Sequence, residues 1–223
     1  MFDFDITQFL VQLLVLFFAI GIHEYAHAKV ADLAGDPTPR AQGRVTLNLT
    51  KHFEPAGTFM ILITSISGFG IGWGKPVQVN PGRMRDPRWD HFMSVAAGPA
   101  SNVLQALVYG GILRLVMMGN IQIPAVLASF LLFGTLLNFG LAFFNLIPFG
   151  VLDGHWLLGL LLPAQSRNAW FRFNQTSGMM ILLVLIVGDQ VQSRSTGFSL
   201  LGTLIGTPSI FATQAVTGLD LRG

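Results

Sequence analysis

The chain has no cysteine, which excludes disulfides and thiolate metal sites. Charge is also scarce: 11% of the 223 residues are Asp, Glu, Lys or Arg, against about 25% in ordinary soluble domains. So few charges cannot easily clothe a soluble globule of this size. A formal net charge of +2 is too small to imply nucleic acid as a partner. Neither a repeat of solenoid period nor a low-complexity tail is found. What is abundant is apolar: 52% of residues are hydrophobic and the mean hydropathy is +0.59. Several runs reach spanning length, so the expected fold is an all-α polytopic membrane protein with the lipid bilayer as its first partner. About five to six transmembrane or re-entrant helices fit the length. They form one integral-membrane domain over 1–223, with a core at about 6–163 and accessory helices at about 170–217. The first segment carries Asp3 and Asp5 rather than a basic flank, and no small-residue cleavage site, so it is not expected to be a signal peptide.

In chain order, Ile6 to about Ala34 reads as the first helix, stopped by Gly35-Asp36-Pro37-Thr38-Pro39. Polar and apolar residues alternate in Gly43-Arg44-Val45-Thr46-Leu47-Asn48-Leu49, which predicts a short β-hairpin after that helix. The stretch from Pro55 to about Trp73 is apolar but rich in Gly and Ser. Basic residues flank it on both sides (Arg40, Arg44 and Lys51; Lys75, Arg83, Arg85 and Arg88). A clean crossing would put one basic loop outside, so a re-entrant or shallow segment is expected. His91 to Met118 and Pro124 to Leu146 are further helices, the second broken by Ile147-Pro148-Phe149-Gly150. An apolar run at Trp156 to Leu162, a fifth span near Phe173 to Val187 and a last segment from Phe198 to Val216 follow. With the N-terminus outside, the basic loops, Arg167, Arg172 and Arg222 all fall on the cytoplasmic side.

Chemistry enters at His23-Glu24-Tyr25-Ala26-His27. Two imidazoles at i and i+4 share a helix face and can bind one Zn²⁺, and a glutamate beside the first can act as general base. Three ionisable side chains within one turn, directly after an apolar run, are hard to tolerate unless paired or bound to metal. A catalytic zinc needs a third protein ligand. Val30 and Leu33 exclude the metzincin extension, leaving His52, Glu54, His91, Asp153 and His155. Asp153 is preferred, because it sits at a broken helix from which a carboxylate can reach the bundle centre, with Asn145 shortly before it.

Three motifs in order resemble those of the site-2 protease family of intramembrane zinc metalloproteases. They are His23-Glu24-x-x-His27, Ala97-Gly98-Pro99-x-Ser101-Asn102, and Asn145-Leu146-Ile147-Pro148 with Leu152-Asp153-Gly154. The stretches at Gly35 to Pro39, Gly43 to Asn48 and Gly72 to Val77 also resemble its bacterial branch. Leu49 and Glu54 depart from it, and no segment resembles a PDZ domain or a CBS pair, so a minimal member is expected. The resemblance implies one Zn²⁺ per chain on His23, His27 and Asp153, Glu24 as the base, and Asn145 as the group that steadies the carbonyl oxygen. Asn102 is expected to position core helices or substrate, and Thr46, Leu47 and Asn48 to receive an extended substrate by β-addition. Implied with these are single-span membrane substrates cut near the cytoplasmic face and a bacterial inner-membrane location. The glycine-rich Gly68 to Gly74 is expected to line water access. Room for a homo-oligomer is left open.

Two other classes compete. A metal transporter also buries His and Asp, but usually shows repeated halves and paired sites. A zinc-holding scaffold normally offers four protein ligands.

Overall fold

A computed structural model describes residues 5–67 and 73–221. Most of the glycine-rich run expected to line water access, Gly68 to Gly72, lies outside the described residues. Helix α1 (Ile6–Leu33) begins where the Asp5 carboxylate accepts the Thr7 and Gln8 N–H groups at 2.8 and 3.2 Å. That side-chain cap satisfies donors that have no intrahelical partner. Its 28 residues extend about 42 Å at ~1.5 Å per residue, enough to cross a hydrocarbon layer of about 30 Å. The helix ends at Gly35, whose φ of +106° is a conformation open to glycine and costly for other residues.

A one-turn helix α2 (Thr38–Ala41) leads to α3 (Pro55–Ser67). The 13 described residues of α3 extend about 20 Å. Helices α4 (Trp89–Met118) and α5 (Ala125–Asn145) are long. Then come α6 (Asp153–Leu161) and α7 (Ala164–Phe173), the latter running through a π-turn at Asn174–Gly178 into α8 (Met179–Thr196). Helix α9 (Thr207–Thr217) closes the fold. Among the described residues, four rods are long and apolar enough to span a membrane: α1, α4, α5 and the continuous Ala164–Thr196. That last rod starts before the expected Phe173, because no proline or glycine interrupts the stretch from Ala164 to Ser177. Arg167 and Arg172, expected in a loop, therefore ride on helix.

Among the described residues there is no β-strand, which corrects the hairpin expected over Gly43 to Leu49. Polar side chains there are spent locally instead: the Thr46 hydroxyl accepts the Asn48 N–H, and the Thr50 hydroxyl donates to Asn48 Oδ1. The Thr46 carbonyl is taken by the buried His52 ring at 3.0 Å. Side chains that bond nearby backbone offer the chain an alternative to a ladder.

Helices α1, α4 and α5 form the central packing. Small side chains (Ala19, Ala28, Ala106) are fully buried, while Leu10, Leu104, Leu115 and Val184 are exposed. Small residues inside with large apolar ones outside is the arrangement of a bundle solvated by lipid. Asn102 ties all three helices, its amide donating to Ala19 O at 3.1 Å and to Asn138 Oδ1 at 2.8 Å.

Asp36 fastens the loop after α1. It is wholly buried, and its carboxylate accepts the Thr38 and Asn80 N–H groups at 2.9 and 2.5 Å. Burial alone would raise its pKa, but these donors hold the carboxyl below its usual range. A group more acidic in the folded state stabilises above its unfolded pKa of about 3.9. That contribution fades as pH falls through the folded value. Asp36→Asn is therefore expected to cost about 1–3 kcal/mol at neutral pH, with the gap from wild type closing in acid. Thermal unfolding in detergent across the acid range measures it.

Candidate metal centre

Helix α1 places His23 and His27 one turn apart, with Nε2 atoms 2.9 Å from each other. Asp153, the first residue of α6, brings Oδ2 to 3.3 Å from His23 Nε2 and Oδ1 to 3.3 Å from His27 Nε2. The break after Asn145 makes this possible, since α5 ends there and α6, packed on α4, restarts at Asp153. Gly154 permits it: a Cβ there would stand 2.3 Å from Leu146 O and 2.5 Å from Ile147 O. Glu54, the alternative third ligand, is elsewhere, accepting the Trp73 indole N–H at 2.8 Å.

Hydrogen bonding on the far side of each ring tests whether the trio suits a cation. His27 Nδ1 faces the Ser94 carbonyl at 2.8 Å, which can only accept, so this nitrogen donates. His23 Nδ1 lies 2.6 Å from Asn102 Oδ1. The Asn102 amide nitrogen is already turned to two oxygens, so its carbonyl accepts and His23 Nδ1 donates as well. In the neutral rings both Nε2 lone pairs are then bare, and they point at each other and at a carboxylate whose Oδ2 is buried without a hydrogen-bond partner. Such converging acceptors repel unless a cation lies between them. Zinc bonds of about 2.0–2.1 Å in a tetrahedron set ligand atoms about 3.3–3.4 Å apart; both His–Asp separations are 3.3 Å, and the two Nε2 atoms stand closer, at 2.9 Å. The donor set fits Zn²⁺, and the three ligand atoms cluster within 4.8 Å.

Asn102 is fully buried. It stands behind His23, on the side away from Asp153, and touches side chains of the bundle. Removing its carbonyl frees the His23 ring. Asn102→Ala is expected to weaken zinc binding about 10- to 100-fold, as read by titration against a chelator of known affinity. Gly98 of α4 presses on the other side: a Cβ there would lie 2.3 Å from His27 Nε2 and 2.7 Å from His23 Cε1.

Glu24, between the two ligands in sequence, points to a different wall. Its Oε2 accepts the Val77 N–H at 3.1 Å and lies 3.7 Å from the Arg44 guanidinium. Burial draws the Arg44 pKa below its ordinary value, with Glu24 opposing that pull. A cavity of about 690 Å³ opens at His27, lined by Val77, Val79, Ser94, Val95, Trp156 and others.

Asn145 is half-buried on the last turn of α5 and donates to Leu141 O at 3.0 Å. Leu47 is 72% exposed. Thr46, Leu47 and Asn48, expected to receive substrate, form no strand. His52 and His91 stand outside the metal trio, with burial pulling the His52 pKa down. His155 holds the Leu152 carbonyl at 2.6 Å, bracing the start of α6. Sequence reasoning missed the roles of Ser94, Gly98, Arg44 and Val77. A small residue facing two ligands could have flagged Gly98, whereas the contacts of Arg44 and Val77 need the folded loop.

Comparison with known proteins gives a consistent result. Residues 110–188 match the profile of Peptidase family M50. The chain is 34% identical over 178 residues to "Putative zinc metalloprotease YwhC" of Bacillus subtilis, covering 78% of each sequence. It is 27% identical over 169 residues to "Putative zinc metalloprotease Rip2" of Mycolicibacterium smegmatis, covering 76% of this chain and 63% of that one. No solved structure matches.

Proposed function

The chain belongs to the M50 family of peptidases, and from that premise we propose that it is a zinc-dependent intramembrane endopeptidase that cuts transmembrane segments of single-span proteins near the cytoplasmic face. It is a zinc metalloprotease and a multi-pass membrane protein. The observation that carries the finer reading is the convergence of His23, His27 and Asp153, with bare Nε2 atoms, one residue from Glu24. A scaffold has no need of that glutamate, and a transporter none of a single three-ligand trio.

His23, His27 and Asp153 would hold one Zn²⁺, which when bound supplies Lewis-acid activation of water and of the scissile carbonyl. Glu24 takes the proton of the attacking water and returns it to the departing amide nitrogen, so that the peptide bond breaks and the water is consumed. Asn145, turning from Leu141 O, donates to the carbonyl oxygen as charge develops there. The substrate helix must unwind locally, because its own hydrogen bonds shield its carbonyls. With the N-terminus outside, the histidines near the inner end of α1 lie toward the cytoplasm, within a bacterial inner membrane. Residues 6–163 form the catalytic core, with the helices of 170–217 as accessories.

The test is co-expression with tagged single-span substrates. The wild type should release fragments cut within the span, and Glu24→Gln should not. Equal cleavage by both ends the protease reading. Metal transport that survives Glu24→Gln, with no proteolysis, favours a transporter.

A further inference from the structure

Glu24 is gripped from a direction that the motif does not show. Arg44, after α2, is 3% exposed. Its guanidinium donates to the carbonyls of Lys75 and Pro76 and stands 3.7 Å from Glu24 Oε2. The next N–H along, that of Val77, donates to the same oxygen at 3.1 Å. Arg44 therefore acts on Glu24 twice, directly by charge and by fixing the stretch that supplies the Val77 donor. That stretch lies close because Gly74 has no side chain: a Cβ there would come within 2.6 Å of Ile20 Cγ2 and 3.4 Å of Glu24 Cγ. Lys75 N–H, bonded to His52 O at 2.8 Å, anchors it further.

We propose that Arg44 is the positioning residue of the general base: it pins Oε2 so that the other carboxylate oxygen keeps a fixed direction for proton transfer. This rests on the reading of Glu24 as the base. A buried guanidinium is costly without partners, and its planar fork spans several acceptors where an ammonium cannot. Here two carbonyls accept hydrogen bonds from it, and the Glu24 carboxylate pairs with its charge at 3.7 Å.

Lysine keeps the charge and loses the fork. Arg44→Lys is expected to lower kcat about tenfold, with KM and zinc per chain within about twofold of wild type. Arg44→Ala should lose about a hundredfold, and methylguanidinium should restore part of it where equal sodium chloride does not. In zinc-free protein, the Tm shifts of Arg44→Ala and Glu24→Gln should be non-additive, since removing either leaves the other without its partner. Wild-type kcat in Arg44→Lys overturns the proposal. So does a fall in zinc content or a rise in KM that accounts for the whole loss, or additive Tm shifts. If Arg44→Ala does not fold, Arg44→Lys decides alone. Should Glu24→Gln cleave like wild type, the protease reading fails instead, and the Tm coupling still reports whether Arg44 holds Glu24.

Discussion

Replacing Glu24 with Gln is expected to cut kcat by about 10²- to 10⁴-fold while zinc per chain stays at the wild-type level. The carboxylate lies outside the ligand trio, and its contacts are with Val77 N–H and Arg44. Glutamine keeps the shape and the Oε acceptor but cannot take a proton from water. Because the metal is held by His23, His27 and Asp153, binding and chemistry should separate cleanly. A variant that lost both would show that Glu24 belongs to the metal's own ligand set. Metal analysis beside a cleavage assay on the same preparation reads the two together.

Gly98→Ala is the second large effect, and it comes from packing. The added Cβ would fall 2.3 Å from His27 Nε2, 2.4 Å from His27 Cε1 and 2.7 Å from His23 Cε1. Real Cβ atoms do not approach so closely, so either the rings rotate or α4 moves away from α1. Rotation breaks the Nδ1 bonds to Ser94 O and Asn102 Oδ1 that aim both lone pairs. Displacing α4 opens the central packing, where Asn102 is wedged between Ala19 and Asn138. Either outcome misplaces ligands by more than the fraction of an ångström that a metal site tolerates. Zinc affinity is expected to fall at least as far as in Asn102→Ala, about 10- to 100-fold, with activity lost in step. Zinc titration with thermal unfolding checks it; wild-type affinity would show that the backbone gives way without moving the rings.

How legible this was in the sequence varied with the range of the interactions involved. His23, Glu24 and His27 announce themselves because i and i+4 share a face, a local property that any helix imposes. Asp153 was readable through a stop signal, Ile147-Pro148-Phe149-Gly150, which makes a carboxylate at the following helix start hard to explain otherwise. The long apolar rods followed from composition. The hairpin did not, because alternation over Gly43 to Leu49 cannot say whether backbone groups pair with a neighbour or with their own side chains. The Asn48 N–H and the Thr46 carbonyl take the latter course, bonding the Thr46 hydroxyl and the His52 ring. The clamp on Glu24 was invisible for another reason: Arg44 and Val77 are 20 and 53 residues from Glu24 in the chain, and nothing local marks them as its partners. Asn102 was singled out, but its place behind His23 emerges only when α1 and α4 are packed.

The most direct measurement of the metal centre is zinc content with X-ray absorption at the zinc edge, on purified wild type and Asp153→Ala. The account predicts one zinc per chain in the wild type, with two imidazole nitrogens and carboxylate oxygen at about 2.0–2.2 Å. Asp153→Ala should lose most of that zinc under chelator challenge. Stoichiometric zinc in Asp153→Ala, with an unchanged edge spectrum, would contradict the trio and move the third ligand to another residue.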